Sequence, residues 1–377
     1  MVELVPTEKL KLLCVIPTLG HGGAQKVMVE LIHSLLYTSS RKVEFEISLL
    51  TFREEVDPIY KVDKCVKLFS IDAIIDDTPS LTSFLKSPLA IRRHIKTISP
   101  DIILSFQDIA NFPVILAAFG LKIPVISSER MDPRFHTAAP VRKFLRLLLY
   151  NRLHRVIVQT TLIAEQMPKS IKPKLRVIPN AVPPPAQNLS GTIGTATNTI
   201  ISAGRLEAQK DFSLLINAFA QLPEKTKWRL KIFGEGSLRT TLQAQIDTLN
   251  LNKLVTLEPA TTNIFTELFK AKIFVLPSRY EGFPNILSEA VSAGLPSIAF
   301  DSVSGTRELI TNNSNGILLS ESQRTPLALA QALLSLMDSP DTRLKMKQNC
   351  EPIAATFNPE IVYQKWMDLI INSIQRT

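Results

Sequence analysis

The stretch Ile273-Phe274-Val275-Leu276-Pro277-Ser278-Arg279-Tyr280-Glu281-Gly282-Phe283-Pro284-Asn285-Ile286-Leu287-Ser288-Glu289-Ala290 passes from an apolar run through a loop into an amphipathic segment that closes at Gly294 and Pro296. A proline near the start of a helix and a glycine just past its end form the usual asymmetry of helix termini, so the stretch predicts strand, loop and helix. A further strand signal at residues 297–300 follows directly. Strand, helix and strand at this spacing make a parallel crossover. In open parallel sheets, ligands bind at the carboxyl ends of the strands, where free amides of a helix start receive phosphate oxygens.

The same alternation continues in both directions. In the second half, strands are predicted at residues 200–203 running into Gly204, 228–233 running into Gly234 and Gly236, and 254–257. In the first half, residues 10–17 lead into a loop with Gly20, Gly22 and Gly23, then a helical pattern through Leu36. More strands are predicted at 44–50, 102–105, 125–128 and 155–159. Alternating strands and helices predict an α/β protein with parallel sheets covered on both faces. Residues 178–185 read Ile-Pro-Asn-Ala-Val-Pro-Pro-Pro, and a Ser/Gly/Thr/Asn-rich stretch to residue 199 completes a linker. The expected organisation is a first domain over 1–184, a second over 185–357, and a closing helix within 358–377. A chain of 377 residues suits two domains.

A hydrophobic content of 45% and a mean hydropathy of +0.13 exclude a disordered chain. No apolar run reaches the length of about 18–20 residues that a spanning helix needs, and no secretory signal pattern opens the sequence, so a cytoplasmic location is expected. Cys14, Cys65 and Cys350 lie too far apart for metal-ligand spacing and fit free thiols. The net charge of +9 is uneven: residues 1–184 hold 25 Lys+Arg against 17 Asp+Glu, and residues 185–377 hold 18 against 17. The asymmetry suggests an anionic partner of the first half, either a membrane surface, a phosphorylated substrate or nucleic acid. Nucleic acid is the weakest candidate, because no recognition helix, zinc site or aromatic–basic platform is present. Residues 133–164 contain no Asp or Glu but carry Arg134, Arg142, Lys143, Arg146, Arg152 and Arg155 among leucines. A helix over 141–155 is expected either to lie on an anionic membrane surface or to pack in the core with a solvated basic face.

Two segments carry the chemistry. Glu281 in the loop and Glu289 in the helix place two carboxylates where one ligand spanning the junction meets both, and carboxylates accept hydrogen bonds from hydroxyl pairs. Gly204-Arg205-Leu206-Glu207-Ala208-Gln209-Lys210-Asp211 follows another strand of the same half, and Arg205 with Lys210 can clamp a diphosphate. Taken singly, each segment also reads as an ordinary loop or a solvated basic face. Both end strands of one predicted sheet.

Together with Gly22-Gly23, Val177-Ile178-Pro179-Asn180, Gly234-Glu235-Gly236 and the closing helix, in that order along nearly the whole chain, these segments resemble the retaining GT-B glycosyltransferases of family 4, the glycosyl transferases group 1. The resemblance implies two Rossmann-like domains with parallel sheets facing a central cleft and a C-terminal helix closing back. It implies Arg205 and Lys210 on the donor diphosphate, Glu281 on the sugar hydroxyls beside the amides of Gly282 and Phe283, and Glu289 on the ribose. Pro284, Asn285 and the amides of Ile286 and Leu287 form the helix start, Gly204 and Gly234 belong to the donor-binding turns, and Glu258 and Pro259 mark the neighbourhood of the base. Gly22 and Gly23 allow close approach of the first domain's loop. Many relatives carry a His where this chain has Arg130, which is expected either to contact a sugar hydroxyl or phosphate or to form a structural ion pair with Asp132 or Glu129.

The implied reaction moves a hexose or N-acetylhexosamine, with retention and without metal or cofactor, from a nucleotide-diphosphate sugar. Gly282-Phe283-Pro284-Asn285 is similar to members that use UDP-sugars. The implied acceptor is a glycan or a polyprenyl-diphosphate-linked oligosaccharide, met on the cytoplasmic face of the inner membrane through peripheral contact of helix 141–155. A front-face attack in which the leaving diphosphate takes the acceptor proton is the implied chemistry. A sugar-nucleotide 2-epimerase on the same fold, or a non-catalytic nucleotide-sugar-binding subunit, are the alternatives.

Overall fold

A computed structural model describes residues 8–20, 22–37, 43–53, 60–71, 81–132, 148–182, 198–223 and 226–374. The chain divides into two compact units, residues 1–180 with 360–377, and residues 181–359. The first unit holds β1 (Glu8–Ile16), β2 (Val43–Thr51), β3 (Lys67–Ser70), β4 (Ile102–Phe106), β5 (Val125–Ser128), β6 (Arg155–Val158) and β7 (Leu175–Val177), in the order β3-β2-β1-β4-β5-β6-β7. All of its pairings are parallel. The second unit holds β8 (Thr199–Ala203), β9 (Arg229–Phe233), β10 (Val255–Glu258), β11 (Ile273–Leu276), β12 (Ser297–Phe300) and β13 (Gly316–Leu319), in the order β10-β9-β8-β11-β12-β13. These pairings are parallel as well. The two Rossmann-like domains expected from the sequence are therefore present.

In each sheet the strand order reverses beside the first strand, between β1 and β4 and between β8 and β11. Such a switch point opens a crevice at the carboxyl ends, because the connections on its two sides leave in opposite directions. In the second unit, alternate residues of the central strands separate cleanly. Ile200, Val275 and Ile298 face one core with the helices Phe212–Phe219 and Pro326–Met337, while Ile201, Phe274 and Ala299 face another with the helix Asn285–Ser292. Each buried Leu, Ile or Phe contributes about 1.5–3 kcal/mol.

The predicted central strands all appear, but β3, β7 and β13 escaped the sequence reading. They are short sheet-edge strands, and β3 and β7 are largely exposed, so their hydrophobic signal is weak. The closing helix runs over Pro359–Ile374 and belongs to the first unit, where Trp366 stacks on Phe106 at 5.6 Å and the Tyr363 hydroxyl donates to Glu30 at 3.0 Å. Of the basic helix expected over 141–155, residues 141–147 lie outside the described residues. The rest corrects the expectation: the helical turn stops at Tyr150, and the amide of His154 is captured by Val125 at 2.9 Å, which delivers Arg155 into β6. Tyr150 and Leu153 are buried, and Arg152 lies over the Phe119 ring at 4.6 Å. Among the described residues no helix is long and apolar enough to cross a membrane.

The turns after β8 and β9 meet backbone to backbone. Gly204 donates to the carbonyl of Phe233 at 2.9 Å, and Leu206 to that of Glu235 at 2.8 Å. Gly234 has φ 154°, and a Cβ there would lie 1.9 Å from the carbonyl oxygen of Gly204. Gly234→Ala is expected to destabilise the protein by about 3 kcal/mol or more, read as a lowered midpoint in denaturant unfolding.

Candidate donor site

The two segments singled out in the second half end β8 and β11, the strands that flank its switch point. Lys210 and Glu281 meet there: Nζ lies 2.5 Å from Oε1, with 13% and 10% of the two side chains exposed. The hydroxyl of Ser278 donates to the same Oε1 at 2.7 Å, and Nε2 of Gln209 reaches Oε2 at 3.5 Å and the carbonyl of Tyr280 at 2.7 Å. The amide of Arg279 donates to the carbonyl of Gln209 at 2.8 Å. One carboxylate is thus fixed from both loops. Gln209 and Ser278 lie within the two quoted segments, but the sequence reading gave neither a role.

Arg205 is exposed at the end of β8, and its guanidinium makes no hydrogen bond or ion pair with a described residue; its field helps lower the Glu207 carboxyl, after the two hydrogen bonds from Ser237 that dominate the shift. The segment after β8 therefore carries one exposed cation and one that is buried and neutralised. The helix Asn285–Ser292 begins after Pro284 with no side-chain cap and no acid in its first turn, which leaves its positive end open to an anion. Leu287 spends its amide on the carbonyl of Pro284 at 3.0 Å, whereas the amides of Gly282, Phe283 and Ile286 have no acceptor among the described residues. Glu289 is half-buried on this helix. Glu258 ends β10, its carbonyl accepting from Gly234 at 3.1 Å and its carboxylate from Thr256 at 3.0 Å, and Pro259 follows exposed.

In the first unit, Gly22 and Gly23 open the helix Gly23–Tyr37 after β1, and a Cβ on Gly22 would lie 2.3 Å from Oε1 of Gln25. Arg130 follows β5. The ion pair with Asp132 or Glu129 that the sequence suggested is not formed: Glu129 receives the hydroxyl of Tyr150, and Arg130 donates to Oδ1 of Asn180 at 2.9 Å and, more loosely, to the Ser128 hydroxyl at 3.4 Å. Its guanidinium lies 4.4 Å from the centre of the Phe106 ring, and its Nε is shut off from solvent with no partner. Gln159 holds Asn180 in place with a bond of 2.8 Å. Every partner of this cation is neutral. Burial accordingly pushes its pKa down to about 9, with only a small opposing influence from Tyr363. Among the described residues no three His, Cys, Asp or Glu side chains gather as metal ligands.

Two family models match the chain, Glycosyltransferase Family 4 over residues 21–184 and Glycosyl transferases group 1 over residues 190–351. The chain belongs to glycosyltransferase family 4. Among similar proteins of this kind, an α-1,4-N-acetyl-D-galactosaminyltransferase of Campylobacter jejuni, whose name specifies a diphospho-undecaprenol-linked acceptor, is 25% identical over 96% of this chain and 98% of its own. A 4-α-N-acetylgalactosaminyltransferase of the same organism, also named for a diphospho-undecaprenol-linked acceptor, is 28% identical over 90% of this chain and 94% of its own. Among solved structures, sucrose-phosphate synthase from Thermosynechococcus elongatus superposes with a TM-score of 0.84 at 16% identity, covering 98% of this chain and all of that one. Anabaena HepE, solved in complex with UDP, superposes with a TM-score of 0.77 at 17% identity over 96% of this chain and 100% of its own. The fold of this family 4 member is GT-B.

Burial of Arg130 makes stability depend on pH. A base whose folded pKa is depressed leaves the unfolded chain with more bound protons as pH rises through the folded value, so its destabilisation is relieved from about pH 9 upward. Arg130→Met is expected to raise the thermal midpoint at pH 7.5 by about 2–4 °C, with a gap from wild type that narrows toward pH 10. Melting curves across that range check it.

Proposed function

We propose that this chain transfers a hexose or N-acetylhexosamine, with retention and without a metal, from a UDP-sugar to a polyprenyl-diphosphate-linked saccharide. The observation that carries the reading is the buried Lys210–Glu281 pair beside the free Arg205 at the switch point of the second unit. The names of the two Campylobacter relatives support the acceptor class and the α product, and an α product from an α-linked donor is retention. The UDP in the HepE structure supports the nucleotide.

In this reading Arg205 and Lys210 neutralise the diphosphate, and Glu281 accepts hydrogen bonds from sugar hydroxyls once a phosphate shares its lysine. The amides of Gly282, Phe283 and Ile286 donate to the donor at the helix start. Glu289 takes the ribose hydroxyl pair, and the turn at Glu258 and Pro259 borders the base. Charge builds on the leaving diphosphate as the bond from the anomeric carbon to its phosphate oxygen breaks. The acceptor oxygen bonds to the same face of that carbon, and its proton passes to the departing phosphate. Stabilising that charge is the main catalytic work, because a preorganised cation needs no reorganisation at the moment of reaction. Arg130 is assigned the role of a cation for a sugar hydroxyl or an acceptor phosphate. The basic first half is assigned to contact with an anionic membrane surface, which flotation with anionic vesicles at low salt tests.

With radiolabelled UDP-sugar and a polyprenyl-diphosphate oligosaccharide, label is expected to enter the lipid-linked fraction. Arg205→Ala and Lys210→Ala should each lower turnover at least about tenfold while still melting cooperatively. Label recovered only in an epimerised nucleotide sugar would establish the epimerase instead. Donor binding with no turnover on any acceptor would establish a binding subunit.

A further inference from the structure

Arg324 lies outside both the Gly204–Asp211 and the Ile273–Ala290 segments. It follows the single helical turn Glu321–Gln323 beyond β13, with 12% of its side chain exposed and its guanidinium stacked 3.9 Å from the centre of the Phe300 ring. Nη1 donates to the carbonyl of Pro277 at 2.9 Å, Nη2 to the carbonyl of Ser278 at 3.1 Å, and Nε to Glu321 at 2.8 Å. Pro277 and Ser278 are the first two residues past β11, and the hydroxyl of Ser278 donates to Glu281. The planar fork therefore grips the main chain of the loop that carries Glu281.

Asp211 adds a second, independent tie. It occupies the N-cap position of the helix Phe212–Phe219 with φ 50°, and its side chain makes no cap bond. Its carboxylate instead takes Nε of Arg279 at 3.1 Å and lies 3.8 Å from Nη1 of Arg324. An Asp at this position ordinarily caps its helix, and a left-handed backbone is strained for a non-glycine residue. The fold forgoes the first and accepts the second. What it obtains is a carboxylate, adjacent in sequence to Lys210, that links the β8 segment to Arg279 within the β11 loop and to Arg324, which grips that loop.

We propose that Arg324 is a positioning residue for the donor-sugar site, setting the loop 277–281 so that Glu281 stands in register with Lys210. The inference rests on the reading that these two residues hold the donor. Two carbonyls at fixed spacing match a guanidinium fork and not a single ammonium, so lysine is not an adequate substitute. A loop displaced by even about 1 Å costs turnover steeply while leaving contacts elsewhere on the nucleotide intact.

The test measures steady-state kinetics with the UDP-sugar, and UDP affinity by calorimetry, for Arg324→Lys, Arg324→Met, Glu281→Gln and Arg324→Lys combined with Glu281→Gln. Both Arg324 variants should lose about tenfold in kcat with UDP affinity changed less than about twofold, and the double variant should fall little below Glu281→Gln alone, because both changes disable one element. UDP affinity lost in parallel with kcat, or losses that multiply in the double variant, would make Arg324 a scaffold residue only and overturn the inference. So would normal kcat in the Arg324 variants beside a weakened Glu281→Gln. Normal kcat in Glu281→Gln would instead overturn the donor-site reading, and this inference with it.

Discussion

The contact between Lys210 and Glu281 is the constraint on which the second unit is organised. A buried ion pair returns its desolvation cost only when its geometry is good and its remaining lone pairs are satisfied. Here that demand is met from several directions: Ser278 and Gln209 complete the carboxylate, and the backbone of Gln209 joins the two loops. The pair sits where two strand ends diverge beside each other, in the order β9-β8-β11-β12. The glycine turns behind it follow from the same closeness, since Gly204 and Gly234 touch through their main chains.

Arg130 in the first unit presents the opposite case. Its desolvated guanidinium faces an aromatic ring and neutral oxygens, and the neighbouring carboxylate of Glu129 is committed to Tyr150. A cation kept without a counter-charge carries an uncompensated desolvation cost. The closing helix reinforces the arrangement, because Trp366 backs the Phe106 ring on which Arg130 rests.

How much of this was legible in the sequence follows from where each interaction resides. The central strands, the glycine turns and the helix start at Pro284 were readable, because burial on both faces, conformational freedom and terminal asymmetry each restrict residue type. The edge strands β3, β7 and β13 were not, because a strand at a sheet edge need not read as an apolar run. Gln209 and Arg324 were invisible for another reason: they act largely on main-chain carbonyls, and a carbonyl leaves no mark on the identity of the residue that offers it. Asp211 stands at the N-cap position of the helix Phe212–Phe219 and serves as a tie between loops. The family models match both halves of the chain, yet the partner of Arg130 had to come from the fold, since Asn180 is fifty residues away in sequence.

The central claim is that a nucleotide sugar is held at the strand ends of the second unit through its diphosphate. The most direct measurement is the thermal midpoint of wild type and of Lys210→Met with and without UDP-, GDP- and ADP-sugars, since a ligand that binds only the folded state raises it. A rise with a UDP-sugar in wild type that is lost or much reduced in Lys210→Met is the result the account predicts. An equal rise in both proteins would place the diphosphate elsewhere and contradict it.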